Sequence, residues 1–413
     1  MLRRRSVLLA APAVVAASSL RAAEKVKVGV MFPLTGASAA SGGEAKAAVE
    51  VACDIINKGY PDLKGLTVGT TPGLPGLHGA TIEPIFVDHR GDPAMAQSLA
   101  QRLITNDHVT ALFGAYHSSC AMTATTVSER YSVPFVVADS VAANITARGF
   151  KFTFRVTPIA TNFADSYMRF LQDMKKAGHT VETVAVVNEN TDYGTSVGDA
   201  IAEEAKKVGL PVSIRIPYSA NGPDVSAQVL QLKQKNPSVA LFVSYASDAI
   251  LFMRTMKSLD YLPPMMIGDS AGFSDPSFLP AVGAISKGLV NRSVWSKGPP
   301  GSLSNGINAI YQAKTGNEIS DVSGRSMQAF FVLADAVNRA HSADPVKVQA
   351  ALQATDMPRS AMFIGYRGVR FDNTGQNVES DTYLTQLQGK DYVTIWPQDA
   401  AVAKVSWPMS GWR

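Results

Sequence analysis

Short apolar runs alternate with amphipathic stretches of helical period through most of this chain, and the alternation starts twice. Val26–Phe32, Ile82–Val87, Val109–Phe113 and Phe135–Val137 read as strands, with helices over Ser41–Asn57, Ala94–Ile104 and Ser119–Arg130 between them. Strands buried on both faces carry continuous apolar runs, and helical crossovers make their neighbours parallel. The first helix is expected to open on a capping box, Ser41-Gly42-Gly43-Glu44. A second series begins with a helix over Ala160–Lys176. It continues with strands Val184–Val187, Val212–Ile216, Val239–Val243 and Met265–Ile267, and helices Ser196–Val208, Val225–Lys235 and Asp248–Leu259. This pattern predicts an α/β chain of two doubly wound parallel-sheet lobes.

Helices near Ser304–Lys314, Ser326–Arg339 and Val346–Ala354 come with too few strands for a third lobe, so they are expected to pack back on the first. Lobe 1 then comprises residues 24–157 plus 291–376, and lobe 2 residues 158–290 plus 377–413. Three crossings, near Val156, Val290 and Gln376, form a three-strand hinge suited to closure around a ligand.

The net charge of +4 belongs to the N-terminus: Arg3, Arg4, Arg5 and Arg21 account for the whole excess. A neutral body argues against nucleic acid as a partner. Arg3–Arg5 precede Val7–Ala17, an apolar run too short for a bilayer but suited to a signal peptide, here of twin-arginine type over residues 1–23. Cleavage after Ser19, Ala22 or Ala23 fits. The mature chain is expected to be exported to the periplasm, soluble and monomeric. Export allows Cys53 and Cys120 to pair; a disulfide and two buried thiols both stay open. The six histidines show no metal-ligand spacing with cysteine or carboxylate, and no metal or other cofactor is expected.

Two segments match G-x-S-x-G: Gly194-Thr195-Ser196-Val197-Gly198 and Gly268-Asp269-Ser270-Ala271-Gly272. The second directly follows a strand, as a nucleophilic serine requires. Ser270 with His341 and Asp321 or Asp335 is therefore the rival reading, a serine hydrolase. The polar loop before Ser196 and the absence of a long helix directly after Ser270 argue against both. Neither G-x-G-x-x-G nor G-x-x-x-x-G-K-[ST] occurs.

Open α/β sheets bind ligands beyond the carboxyl ends of their strands. In the first lobe those positions hold Gly114-Ala115-Tyr116-His117-Ser118-Ser119 and Ala138-Asp139-Ser140-Val141. Hydroxyls at a helix N-terminus, with its free N–H groups, suit a carboxylate. The second lobe places Tyr193, Tyr245 and Asp269-Ser270 at its strand ends. Tyrosine supplies an apolar face and a hydroxyl for the rest of a small organic ligand.

In their order and spacing, these segments resemble the periplasmic leucine/isoleucine/valine-binding proteins, the type I solute-binding proteins of branched-chain amino acid ABC transporters. The resemblance rests on Val28-Gly29-Val30-Met31-Phe32-Pro33-Leu34-Thr35-Gly36, Asp92-Pro93, Phe113-Gly114 with Ser118-Ser119, Arg148-Gly149, Asp192-Tyr193-Gly194 and the Gly268 turn. It implies a type I periplasmic binding protein fold, no catalysis and a membrane permease as partner. It further implies that Ser119, with N–H groups of Asp139 and Val141, holds a ligand carboxylate, and that Tyr193 and Tyr245 cover the ligand. Two positions depart from the family. Ser41 stands where the first turn carries an aromatic residue. Ser270, beside Asp269, stands where a glutamate receives the ligand ammonium. The resemblance implies a branched-chain or other amino acid as first choice, with Asp269 turned inward to receive its ammonium; if Asp269 turns away, the implied ligand is an aromatic or aliphatic acid or an amide, and Arg292 and Trp295 become candidates.

Overall fold

The structure, a computed structural model, describes residues 25–412; the leader expected over residues 1–23 lies outside the described residues. Strands β1 (Lys25–Phe32), β2 (Thr81–Asp88), β3 (Ala111–Gly114), β4 (Phe135–Val137) and β5 (Thr153–Arg155) form a parallel sheet in the order β2-β1-β3-β4-β5. Strands β6 (Val184–Glu189), β7 (Val212–Tyr218), β8 (Val239–Val243), β9 (Met265–Gly268) and β10 (Val290–Ser293) repeat that winding, in the order β7-β6-β8-β9-β10. Each sheet thus has a switch point between its first and third strands, where a ligand crevice opens.

Helices α1 (Ala39–Lys58), α2 (Pro93–Thr105) and α3 (Ser118–Tyr131) connect the first strands. The second lobe uses α4 (Ala160–Lys176), α5 (Asp192–Lys207), α6 (Ser226–Lys235), α7 (Ala246–Ser258) and the short α8 (Ala271–Ser274) and α9 (Phe278–Val282). The chain then returns through α10 (Leu303–Thr315), α11 (Asp321–Ala340) and α12 (Pro345–Gln353), and α11 packs against α1. Helix α11 is buried from Asp321 to Val337, polar residues included, so it runs through the interior rather than over the surface. A small antiparallel pair, β11 (Asp356–Pro358) and β12 (Gly368–Arg370), precedes the hairpin β13 (Tyr383–Gln388) and β14 (Asp391–Trp396). This hairpin extends the second sheet by pairing β13 antiparallel with β10.

The local chemistry explains several boundaries. Asp92 caps α2, accepting from the N–H groups of Ala94 and Met95, and Pro93 follows at a position that needs no donor. Ser320 and Ser323 cap α11 reciprocally. Helix α1, by contrast, does not start at the expected box. Ser38 precedes its first turn, and Ser41 and Glu44 lie inside the helix. Gly42 allows the early start, because a Cβ there would stand 1.9 Å from the Pro33 carbonyl oxygen.

The sheets are joined by crossings after Arg155, after Ser293 and before Tyr383. Since β10 pairs with β9, residues 290–293 run with the second sheet and the middle crossing follows them. The outer crossings lie side by side: Arg155 N–H donates to Gly375 O at 2.8 Å, and Asn377 N–H to Arg155 O at 2.9 Å. The buried Arg155 guanidinium reaches Gln376 Oε1 (2.6 Å), Ala142 O (2.6 Å) and Thr146 Oγ1 (2.7 Å). Cys53 and Cys120 are free buried thiols in separate hydrophobic clusters. Among the described residues, no helix is long and apolar enough to cross a membrane.

Candidate functional site

The turns at the carboxyl ends of both sheets meet across the lobe interface. The Tyr245 ring lies 6.0 Å from that of Tyr116 and 4.9 Å from that of His117, centroid to centroid. Ala143 N–H donates to Ser196 Oγ at 3.0 Å, and Ser41 Oγ donates to Asp275 Oδ2 at 2.5 Å. Ser41 therefore links α1 to the second lobe instead of capping its own helix.

Between these contacts sits a cavity of about 10 Å³, about the space of one water. Tyr116, Ser118, Asp139 and Val141 line it from the first lobe, and Tyr193 and Tyr245 from the second. Ala271, Arg292 and Arg325 complete the wall. Ser119 is not among these residues; its hydroxyl lies beside the Cys120 thiol, which burial pushes up to about 12. Ser118, one residue earlier, takes the wall position and accepts from Ala142 N–H at 3.3 Å. Ser140 donates to Ala115 O at 2.8 Å and ties the two first-lobe turns together. Ser270 also stays out of the wall: its hydroxyl donates to the Asp321 carboxylate and lies 3.3 Å from Ser274 Oγ.

Asp269 is committed elsewhere. Its Oδ1 accepts from Arg292 Nε at 2.8 Å and from the Tyr167 hydroxyl. Its Oδ2 accepts from the Tyr193 hydroxyl at 2.8 Å and from Arg292 Nη2 at 3.3 Å. The register explains the pair: Gly268 on β9 stands opposite Asn291 on β10, so Asp269 and Arg292 are the next neighbours. Arg292 also lies over the Phe163 ring, 3.6 Å from its centroid. A carboxylate so neutralised does not offer itself to a ligand ammonium.

The network continues through α11. Arg325 Nη2 pairs with Asp321 Oδ2 at 3.0 Å, and its Nη1 donates to Asp139 O at 2.8 Å. Ser326 Oγ donates to Asp139 Oδ2 at 2.7 Å. Three carboxylates and two guanidiniums are thereby buried together. Burial pushes the Asp139 carboxyl up to about 6, against the opposing pull of Arg325 and Ser326. Asp321 is held below the usual range: burial opposes ionisation, but Arg325 and Arg292 outweigh it. Three polar atoms of this network have no hydrogen-bond partner: Arg292 Nη1, which lies 3.8 Å from Asp321 Oδ2, Asp139 Oδ1, which lies 3.6 Å from Arg325 Nη2, and Arg325 Nε. All three residues are at most 4% exposed and line the cavity.

Ser270 has φ +47° and ψ −115°, on a sharp strand-to-helix turn, a strained setting that a nucleophile would share. Its proposed partner His341 caps the far end of α11, with Nδ1 3.0 Å from Gly76 O. Asp321, which Ser270 touches, begins that helix, whose twenty residues span ~30 Å. Ser270 and His341 thus sit at opposite ends of α11.

The histidine spacing hid one cluster. His89, His117 and Cys120 bring ligand-type atoms within 4.8 Å of one another. His89 Nδ1 accepts from Gly91 N–H at 3.0 Å, which places the ring proton on Nε2. A metal-bound imidazole instead donates from its second nitrogen. Burial holds His89 at about 4 and His117 at about 3, so both are neutral.

Comparison with known proteins agrees with this architecture. A family model described as periplasmic binding protein matches residues 25–391. A Brucella abortus protein named Leu/Ile/Val-binding protein homolog 7 is 30% identical over 408 residues, covering 95% of this chain and 96% of its own. The leucine-binding protein LivK of Thermotoga maritima superposes with a TM-score of 0.77 at 21% identity, over 91% of this chain and 99% of its own. A solute-binding protein of an ABC transporter from Rhodopseudomonas palustris, solved with 3,4-dihydroxybenzoic acid, superposes with a TM-score of 0.75 at 20% identity, over 91% and 98%. With its two matching lobes and a family match across nearly all described residues, the chain belongs to the periplasmic binding protein family.

Proposed function

We propose that this protein is an exported, periplasmic solute-binding subunit of an ABC importer. It captures a small aromatic or aliphatic acid between its lobes by hinge closure and hands it unchanged to a membrane permease. The carrying observation is that Arg292 and Arg325 keep N–H groups without hydrogen-bond partners at the cavity wall, while Asp269 is already neutralised. An entering carboxylate supplies the missing acceptor. Each charge-assisted bond contributes ~1.5–3 kcal/mol, so a few of them with burial of a ring or alkyl body reach the ~8 kcal/mol of micromolar binding. The small cavity supports hinge motion, because a solute enters only when the lobes part. The R. palustris neighbour, bound to a benzoic acid, supports the same ligand class.

A second reading, an α-amino acid, rests on Asp139 Oδ1, a buried acceptor without a hydrogen-bond donor at the same wall. Thermal-shift titration with benzoate, 3,4-dihydroxybenzoate, 4-methylpentanoate and leucine separates the two. The last pair differs only by the ammonium. Stabilisation by acids lacking the ammonium is expected. Stabilisation by leucine alone favours the second reading, and no response to any of the four rejects both.

Two further outcomes follow from the wall. Ser118→Ala is expected to weaken acid binding about tenfold, the loss of one hydrogen bond to a charged group, whereas Ser119→Ala leaves it within twofold. Equal calorimetric losses for both would remove Ser118 from its special place. The second outcome concerns pH. Asp139, raised to about 6, is ionised at pH 7.5 and largely protonated at 5.5. Its protonation removes a negative charge that faces Arg325, Arg292, Asp321 and Ser326, while a carboxylic acid of ordinary strength stays ionised. Affinity for the acid should rise about sixfold between pH 7.5 and 5.5 if binding moves Asp139 up by about one unit. Asp139→Asn should flatten the profile, and an unchanged slope would contradict the argument.

A further inference from the structure

A groove of about 1220 Å³ lies beside the small cavity, between α1, α10 and the start of α11 on one lobe and the α8–α9 segment with β10 on the other. It borders the arginine network at Asp321 but shares no lining residue with the small cavity. Its chemistry is acidic and aromatic. Glu44 faces it from α1, with Asp275 and Asp321 nearby, and Trp295, Tyr392 and Phe273 contribute ring surface.

The carboxylates differ in how far they are satisfied. Asp321 holds Arg325 and accepts from Val294 N–H at 2.8 Å. Asp275 accepts from Ser41 Oγ at 2.5 Å and from Ser277 N–H at 2.9 Å. Glu44 Oε1 accepts from Ser323 Oγ at 3.0 Å, but Glu44 Oε2 is buried with no hydrogen-bond partner, although the residue as a whole is part-exposed. Two lysines line the groove: Lys314 of α10 is engaged with Asp54 at 2.8 Å, and Lys390 stands in the turn between β13 and β14.

We propose that this groove is a second binding site, for an organic amine whose ammonium donates to Glu44 Oε2 and whose apolar body lies along the aromatic wall. An ammonium supplies the donor that Oε2 lacks, and aromatic faces attract such cations. Burial pushes the Glu44 carboxyl up to about 7 against the pull of the Ser320 and Ser323 hydroxyls, with Asp275 and Asp321 adding smaller upward pushes, and an ammonium reverses that cost. A divalent metal ion fits less well. The one group of ligand atoms close enough to share an ion, among the described residues, is the His89–His117–Cys120 cluster, not these carboxylates.

The test is calorimetric titration of the full mature protein with 2-phenylethylamine, with the uncharged 3-phenylpropan-1-ol as comparison. The wild type is expected to bind the amine at least tenfold more tightly than the alcohol. Glu44→Gln is expected to lose at least tenfold in amine affinity while keeping its thermal response to the acids above, which depends on Arg292. A second variant, Gly43→Leu, adds bulk to the groove from an exposed position where an added Cβ meets nothing within 4 Å; it is expected to keep the wild-type melting temperature and to exclude the amine. Wild-type protein that ignores the amine, or binds amine and alcohol alike, overturns the proposal. So does an amine affinity that both variants retain. Because the acid response is read separately, loss of the cleft assignment and loss of this one are distinguishable.

Discussion

Replacing Arg292 by methionine is expected to abolish measurable acid binding, a loss of at least a hundredfold. Removing one member of a buried, hydrogen-bonded charge contact costs ~2–5 kcal/mol in affinity. The same change leaves Asp269 buried beside Tyr167 and Tyr193 with no counter-charge, which costs ~3–5 kcal/mol in stability. The two effects separate in a double variant. Arg292→Met with Asp269→Asn removes both charges together, so the melting temperature should recover while acid binding stays lost. Arg292→Lys keeps the charge but not the fork that holds Asp269 with Nε and Nη2 and leaves Nη1 for the ligand. It should fold and bind weakly. Full acid affinity in the double variant would contradict the assignment of Arg292.

The neighbouring glycines of α1 are expected to respond in opposite directions. A methyl group at Gly42 collides with the Pro33 backbone, its oxygen at 1.9 Å and its carbon at 2.6 Å, and neither is the end of a flexible side chain. The helix must move away from the turn after β1, so Gly42→Ala should destabilise by about 3 kcal/mol or more, at the upper end of overpacking effects. Gly43 is exposed and an added Cβ there meets nothing. Gly43→Ala should stabilise by ~0.5–1 kcal/mol through helix propensity alone. Chemical denaturation of the two variants reads both signs. A Gly42→Ala protein as stable as the wild type would mean that α1 does not press on Pro33.

Much of the architecture was legible because each lobe is built from local units. The helical period of Ala160–Lys176 and the continuous apolar runs Phe135–Val137 and Val239–Val243 give these elements' ends to the residue. Thr153–Arg155 escaped notice because three residues, one of them a buried arginine, carry no period. The hairpin of β13 and β14 escaped because Tyr383–Gln388 and Asp391–Trp396 mix polar and apolar residues without strict alternation, and because β13 joins the second sheet only through tertiary pairing with β10. At the site, topology placed Tyr116, Ser118, Asp139, Tyr193 and Tyr245 at strand ends, which needs only the order of elements. The charges were harder. Asp321 and Arg325 are four residues apart on a helix, a spacing that usually marks a solvated surface pair, yet both are at most 3% exposed. Only the return of α11 into the interior changes their meaning. Asp269 looked free for a ligand because Arg292 reaches it through the parallel register of β9 and β10, a contact set by tertiary structure.

The most direct measurement is a crystal structure of the mature protein grown with whichever acid of the thermal-shift panel stabilises it. The account predicts the intact acid between the lobes, a carboxylate oxygen ~3 Å from Arg292 Nη1, and the rings of Tyr193 and Tyr245 against its body. An acid bound elsewhere, with Arg292 Nη1 still lacking an acceptor, would contradict it.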